Sequence, residues 1–409
     1  MQTNLADWIK DSPQGLEADA ILRKCVHCGF CLATCPTYGL LGDELDSPRG
    51  RIYLMKQMLE GAAVTETTQI HLDRCLTCRA CETTCPSGVQ YGRLVDIGRE
   101  LVEEKVPRGL FTRAKRWVLR HALLSPTLFG AALGMGRAFR GLLPESIART
   151  VPALREAGER PAVRHARRML VLEGCVQPAI APSINAATAR VLDRLGISLL
   201  ATPAAACCGA VSHHLNAQDE ALGYVRANID AWWPQVEAGA EAIVITASGC
   251  GTMVAEYGHL LRNDPAYATK AARISALAKD VSEIVAAERA ALAKLLAGKP
   301  AQAKLAFHSP CSLQHGLRIT GVVESILRDA GFTLTAVPDG HLCCGSAGTY
   351  SILQPELSQQ LLANKVTALE SGAPEMIATA NIGCLSHIAS GSQRPVRHWI
   401  EILDDQLRR

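Results

Sequence analysis

Eight cysteines of this chain stand in two copies of one spacing, and that repetition restricts the fold more than any other feature. Cys25, Cys28, Cys31 and Cys35 form C-x2-C-x2-C-x3-C closed by Pro36, and Cys75, Cys78, Cys81 and Cys85 repeat it, closed by Pro86. Three thiols at intervals of three residues wrap a short loop around a common centre. Soft, anionic thiolates are the ligands that sulfide-bridged iron prefers. This spacing holds [4Fe–4S] clusters, the fourth cysteine being directed to the other cluster of a pair. It assigns Cys25, Cys28, Cys31 and Cys85 to one cluster, and Cys75, Cys78, Cys81 and Cys35 to a second. Each proline, lacking an N–H, ends its loop. A single C-x2-C would suit zinc equally well, but two full runs ending in Cys-Pro point to iron and sulfide.

The chain has 409 residues, 48% hydrophobic and 20% charged. That balance suits globular cores and excludes disorder, and the length allows about two to four domains. Met1 to Gln14 carry no apolar signal-peptide region. Thiols in cluster motifs suit a reducing cytosol, so a cytoplasmic location is expected. No stretch has the roughly 18 apolar residues that a transmembrane helix needs. Between Lys105 and Arg168, however, 14 Lys and Arg face only 3 Glu. Pro107 to Arg140 reads as amphipathic helix, with Arg113, Lys115, Arg116 and Arg120 flanking Phe111, Trp117 and Leu124. Such a segment suits peripheral contact with the cytoplasmic face of the inner membrane, an acidic partner subunit, or plain solvent. The basic segment lacks interleaved aromatics, so nucleic acid is not an expected partner.

Residues 1–105 form the cluster module. The runs are separated by 39 residues, in which Ser47 and Pro48 open a helix through Arg51 to Leu59 and Gly61 stops it. Another helix is expected from Arg93 to Glu104. A long helical insert between the runs resembles the α-helical ferredoxin module of respiratory dehydrogenase iron–sulfur subunits. A basic connector spans 106–165.

Two repeats follow, 166–300 and 301–409. The first runs from a strand near Arg168 to Cys175, a helix Ser183–Leu195, a strand Ile197–Ala201, Cys207-Cys208-Gly209, a helix from Asp219, a strand Ala242–Thr246 and Cys250. The second runs from a strand at Leu305 to Cys311, a helix Val322–Ala330, a strand Phe332–Val337, Cys343-Cys344-Gly345, a helix Pro355–Glu370, a strand Met376–Thr379 and Cys384. The near-constant offset between matching landmarks indicates internal duplication. The expected fold class is therefore α+β and multidomain, an α-helical ferredoxin module followed by two duplicated α/β domains with mainly parallel sheets. Cysteines following successive strands gather at the sheet edge where such folds place ligands.

Cys175, Cys207, Cys208 and Cys250, and likewise Cys311, Cys343, Cys344 and Cys384, resemble the CCG domains of heterodisulfide reductases. The resemblance implies a further iron–sulfur cluster or a zinc ion. Each quartet departs from the full motif, because Ala247 and Asn381 stand where the first cysteine of a closing C-x2-C belongs. Four thiols suffice for a cubane or zinc, and unmetallated thiols stay open. His213 and His214 are candidates for metal ligation or proton relay, or are simply hydrogen-bonded. Trp232 and Trp233 read as packing residues, and Gly345 to Gly348 lacks the lysine of a phosphate loop.

Several stretches together resemble the family of glycolate oxidase (glycolate dehydrogenase) iron–sulfur subunits: Cys25 to Cys31, Thr37 to Leu45, Pro48 to Arg51, His71 to Cys78, Asn228 to Pro234, Thr379 to Cys384 and Arg397 to Glu401. The resemblance implies an electron-transfer subunit partnered by FAD-containing subunits that oxidise glycolate to glyoxylate, with a quinone as acceptor and no substrate site in this chain. Related complexes, oxidising lactate or glycerol 3-phosphate or of the heterodisulfide-reductase kind, and a scaffold or redox sensor with structural clusters, are the alternatives.

Overall fold

Ser47 accepts a hydrogen bond from the Gly50 amide at 2.9 Å, and Pro48 follows it as the first helical residue. Both are N-terminal signals of a helix, and the helix Pro48–Leu59 begins there. Gly50 is required by close approach, since a Cβ at this position would lie 1.9 Å from the Glu44 carbonyl oxygen. The computed structural model describes residues 1–142, 144, 151–299 and 303–409. The boundary expected between 300 and 301, and part of the connector, lie outside the described residues.

Two compact units emerge. The first comprises Met1–Arg116 with the short segments His214–Asn216 and His341–Lys365. The helices Pro13–Lys24, Pro48–Leu59, Glu66–Asp73 and Tyr91–Lys105 enclose its core. Leu22, Met55, Leu59, Leu72, Leu94 and Val95 are fully buried there, and Cys25, Cys75 and Cys81 belong to the same apolar cluster. The cysteine loops thus rest on a dry helical base.

The second unit comprises Trp117–His213, Ala217–Gly340 and Val366–Arg409. It contains two four-stranded sheets. One has β1 (Arg167–Val171), β2 (Ile197–Ala201), β3 (Ile243–Ile245) and β4 (Ala278–Asp280) in the order β2-β1-β3-β4. The other has β5 (Lys304–His308), β6 (Thr333–Leu334), β7 (Met376–Thr379) and β8 (Val396–His398) in the order β6-β5-β7-β8. Every pairing among the described residues is parallel. The repeat pattern contained only three strands. The fourth, β4 and β8, are three-residue edge strands, too short to show alternation. Both run directly into a helix through the same device, a capping box of Asp280 with Glu283 in one and His398 with Glu401 in the other. The expected strand Phe332–Val337 shrinks to the two residues of β6. The repeats meet where the helix Ser183–Arg194 lies beside Trp399–Arg408, and buried Asp404 accepts from Arg190 at 2.8 Å and Arg194 at 3.0 Å.

The basic segment forms the helices Leu110–Leu124 and Pro126–Ala138, bent by 94° at Ser125. Among the described residues no single helix is long and apolar enough to cross a membrane. Much of the expected basic stripe is engaged within the chain. Arg116 pairs with Asp73 at 3.3 Å, Arg120 with Glu220 at 3.7 Å, and Lys115 donates to the Ile352 carbonyl at 2.9 Å. Leu124 is buried, whereas Leu110, Phe111, Trp117 and Val118 are exposed.

Candidate metal centres

Within each cysteine run the backbone turns left-handed at the same two places. His27 and Gly29 have φ of +56° and +85°, and Thr77 and Arg79, at the equivalent positions, have +52° and +60°. For a residue with a side chain this region costs about 1–3 kcal/mol, a strain that clusters at functional sites. The turns curl each loop around its sulfurs. One cavity, about 440 Å³ counting the solvent at its open mouth, is lined by Cys25, Cys28, Cys31 and Cys85. A second, about 300 Å³ on the same measure, is lined by Cys35, Cys75, Cys78 and Cys81, and Cys81 borders both.

No carboxylate lines either cavity. Burial pushes the Cys31 thiol up to about 11 and raises Cys81 well above the ordinary thiol range. Neighbouring thiols add to this, because packed sulfurs that ionise together repel one another. Such a nest holds thiolates only around a strongly positive core, and an iron–sulfur cluster fits that donor set.

The cavity of the second run is backed by buried charge. Asp46, fully buried, accepts from Arg51 at 3.1 Å and Arg74 at 2.8 Å, and His71 Nδ1 lies 3.1 Å away. The Arg99 guanidinium donates to the carbonyls of Leu72 at 2.8 Å and Cys75 at 2.5 Å. The roles of these residues were not read from the sequence, although Arg51 falls in the stretch Pro48 to Arg51 and His71 and Arg74 fall in the stretch His71 to Cys78. A charged residue on a short helix ordinarily reads as a solvated one.

In the second unit the first quartet assembles beyond the carboxyl ends of β1, β2 and β3. The sulfurs adjoin in the order Cys175, Cys207, Cys208, Cys250. The Cys207 thiol, together with burial, raises Cys175 far above its ordinary value. Asn228 Nδ2 donates to the Cys207 carbonyl at 2.7 Å and to the Tyr257 hydroxyl at 3.0 Å, and that hydroxyl donates to the Cys208 carbonyl at 2.8 Å. Asn228 opens another of the quoted stretches, and this clamp is what it does. Gly209 is left-handed at φ +87°, and its amide lies 3.4 Å from the Cys207 sulfur.

Gly345 repeats this at φ +88° and 3.4 Å from the Cys343 sulfur. Cys343 and Cys344 lie on the segment His341–Lys365 of the first unit, and Cys311 and Cys384 in the second. Asn381 Nδ2 donates to the Cys384 sulfur at 3.4 Å, while Ala247 is buried and apolar. His213 Nδ1 sits 2.7 Å from Gln218 Oε1. Trp232 is fully buried, and Lys270 lies 5.3 Å over the ring of Trp233.

The family description "4Fe-4S dicluster domain" matches residues 21–89, and "Cysteine-rich domain" matches 169–255 and 305–389. The glycolate oxidase iron-sulfur subunit of Escherichia coli is 57% identical over the full length of both chains. The chain belongs to the glycolate oxidase iron–sulfur subunit family. The probable glycolate oxidase iron-sulfur subunit of Bacillus subtilis is 30% identical over 91% of this chain and 89% of its own. Lactate utilization protein A of Bacillus licheniformis is 28% identical over 57% of this chain and 97% of its own. Membership accounts for both halves of the architecture, the dicluster unit and the duplicated cysteine-rich repeats, and makes [4Fe–4S] clusters its cofactors.

Proposed function

We propose that this chain is the electron-transfer subunit of a membrane-associated glycolate oxidase complex. FAD-containing partner subunits oxidise glycolate to glyoxylate, and this chain passes the electrons towards a quinone. The observation that carries the reading is the grouping of eight cysteines around two cavities that share Cys81 at their border. Bound [4Fe–4S] clusters would supply one-electron carriers at those places. Cys25, Cys28, Cys31 and Cys85 would hold one, and Cys75, Cys78, Cys81 and Cys35 the other. The surrounding helices bury Cys25, Cys35, Cys75 and Cys81 and fix the spacing of the set. The quartets Cys175, Cys207, Cys208, Cys250 and Cys311, Cys343, Cys344, Cys384 would each take a further cluster or a zinc ion. We read 1–105 as the dicluster domain, 106–165 as connector, and 166–300 and 301–409 as the repeats. No residue of the chain is assigned to the substrate.

The test uses the complex purified with its partners. Cys78→Ser is expected to abolish glycolate-dependent quinone reduction while a dye that accepts directly from flavin is still reduced. Unchanged quinone reduction in a variant shown to lack that cluster would overturn the reading. The relative named for lactate utilisation favours a second reading, the same relay serving a lactate-oxidising flavoprotein. The substrate oxidised by the co-purified partner separates the two. Clusters that no flavin partner reduces would favour a scaffold or redox sensor.

Membrane association is supported by the exposed apolar residues Leu110, Phe111 and Trp117 on a helix that also exposes Arg113. Flotation with anionic vesicles is expected to carry the chain upward, and Phe111→Ser with Trp117→Ser to leave most of it at the bottom. Equal flotation of both proteins would place the contact elsewhere.

A further inference from the structure

The two cavities differ in what reaches their sulfurs. Around the second run, the Thr37 hydroxyl lies 3.4 Å from the Cys35 sulfur, and an Arg51 guanidinium nitrogen 4.0 Å from it. The Tyr91 hydroxyl donates to the Cys75 sulfur at 3.6 Å. Thr37, Arg51 and Tyr91 are all buried, so no water competes for these sulfurs from that side. Arg51 also donates to the Thr37 hydroxyl at 3.2 Å, which leaves the threonine proton for another acceptor. That hydroxyl donates to the Asp46 carbonyl at 3.0 Å, with the Cys35 sulfur further off at 3.4 Å. Among the described residues no side chain hydrogen-bonds the sulfurs of Cys25, Cys28, Cys31 or Cys85. There Cys28 is exposed, Arg49 of the cavity wall is paired with Glu44 at 2.8 Å, and the Met1 ammonium donates to the Cys25 carbonyl at 2.7 Å but to no sulfur.

Taking up an electron places more negative charge on thiolate sulfurs. A hydrogen-bond donor or a buried cation beside them therefore stabilises the reduced form more than the oxidised one. Burial alone works in the opposite direction, because it penalises the added charge. The charges behind the second cavity do not cancel: Arg51 and Arg74 face a single carboxylate, Asp46.

We propose that Thr37, Arg51 and Tyr91 are positioning residues that selectively raise the reduction potential of the cluster held by Cys35, Cys75, Cys78 and Cys81, offsetting its burial. The proposal rests on the cluster assignment above. Thr37 and Tyr91 are the adjustable members, since each can lose a hydroxyl with little change of shape, while Arg51 is also part of the buried ion group that holds the fold.

The experiment is a potentiometric EPR titration of the full chain in its complex, with dithionite as reductant, on Tyr91→Phe, Thr37→Val and the double variant. The signal of the Cys35 cluster is recognised by its loss in Cys78→Ser. Each single variant is expected to disfavour reduction of that cluster by about tenfold, a fall of about 59 mV for a one-electron couple. The double variant should fall further, and the other cluster should keep its potential, with iron per chain unchanged. Equal shifts of both clusters, or none at full iron content, would overturn the proposal. Loss of iron from both single variants would overturn it too, showing the hydroxyls to be structural. A chain that binds no iron from the outset would instead sink the cluster assignment, so the two failures are distinguishable.

Discussion

Asp46→Ala is expected to cost the cysteine-run unit about 3–5 kcal/mol, the range for removing one partner of a buried ion pair. Arg51 is 1% exposed and Asp46 not at all. Once the carboxylate is gone, Arg51 keeps the His71 carbonyl at 2.7 Å, the Thr37 hydroxyl at 3.2 Å and the Cys35 sulfur at 4.0 Å. Hydrogen bonds alone do not repay the desolvation of a guanidinium. Since whole domains are stable by about 5–15 kcal/mol, the variant should be largely unfolded at moderate urea. Arg74→Ala is the contrast. Its side chain is 32% exposed, water can replace it, and a loss of about 1 kcal/mol or less is expected. Urea unfolding of the anaerobically purified chain, followed by far-UV circular dichroism, reads both. Equal midpoints for Asp46→Ala and the parent would mean that the Arg51 charge is neutralised by something other than Asp46.

That ion group marks where sequence reading ran out. The helix Pro48–Leu59 was legible from Ser47 and Pro48 because capping chemistry is local. The helices Ser183–Arg194 and Gln218–Glu237, and the strands β2 and β7, followed from apolar runs bounded by breakers. The duplicated repeat was legible because its cysteines recur at matched intervals. Side chains whose partners lie far along the chain were not. Asp73, 43 residues away, is what turns Arg116 inward, and Glu220, 100 residues away, does the same for Arg120. Read by itself, the helix Leu110–Leu124 therefore showed four basic residues flanking apolar ones, whereas the fold turns Arg116 and Arg120 inward and leaves Arg113 exposed beside Phe111 and Trp117. The same limit hid β4 and β8, whose three residues become strands only beside β3 and β7. The left-handed Thr77 and Arg79 gave no signal at all, because nothing in their side chains favours that backbone. The loop they build does.

Cys35→Ala is expected to disturb the cluster of the other run. The two loops have the same backbone turns, so a chain in which each run served its own cluster would pair Cys35 with Cys25, Cys28 and Cys31. Cys35 instead lies at the start of the helix Pro36–Leu41, buried, in the cavity lined by Cys75, Cys78 and Cys81. Cys85, at the end of the short helix Ala80–Thr84, lines the cavity of Cys25, Cys28 and Cys31. Removal of a fourth thiolate leaves one iron of a cube without its protein ligand. The EPR signal lost in Cys35→Ala should therefore be the one lost in Cys78→Ala, and the signal lost in Cys85→Ala the one lost in Cys28→Ala. Where the damaged cluster is not retained, iron bound by the eight cysteines should fall by about half. A Cys35→Ala spectrum matching that of Cys28→Ala would overturn the exchange. The crossed pattern also has a physical consequence for the relay. Each cluster would then be anchored by both loops, so neither loop could move without disturbing both centres. The separation between them, on which one-electron transfer depends, would be held by the same covalent scaffold that binds the iron.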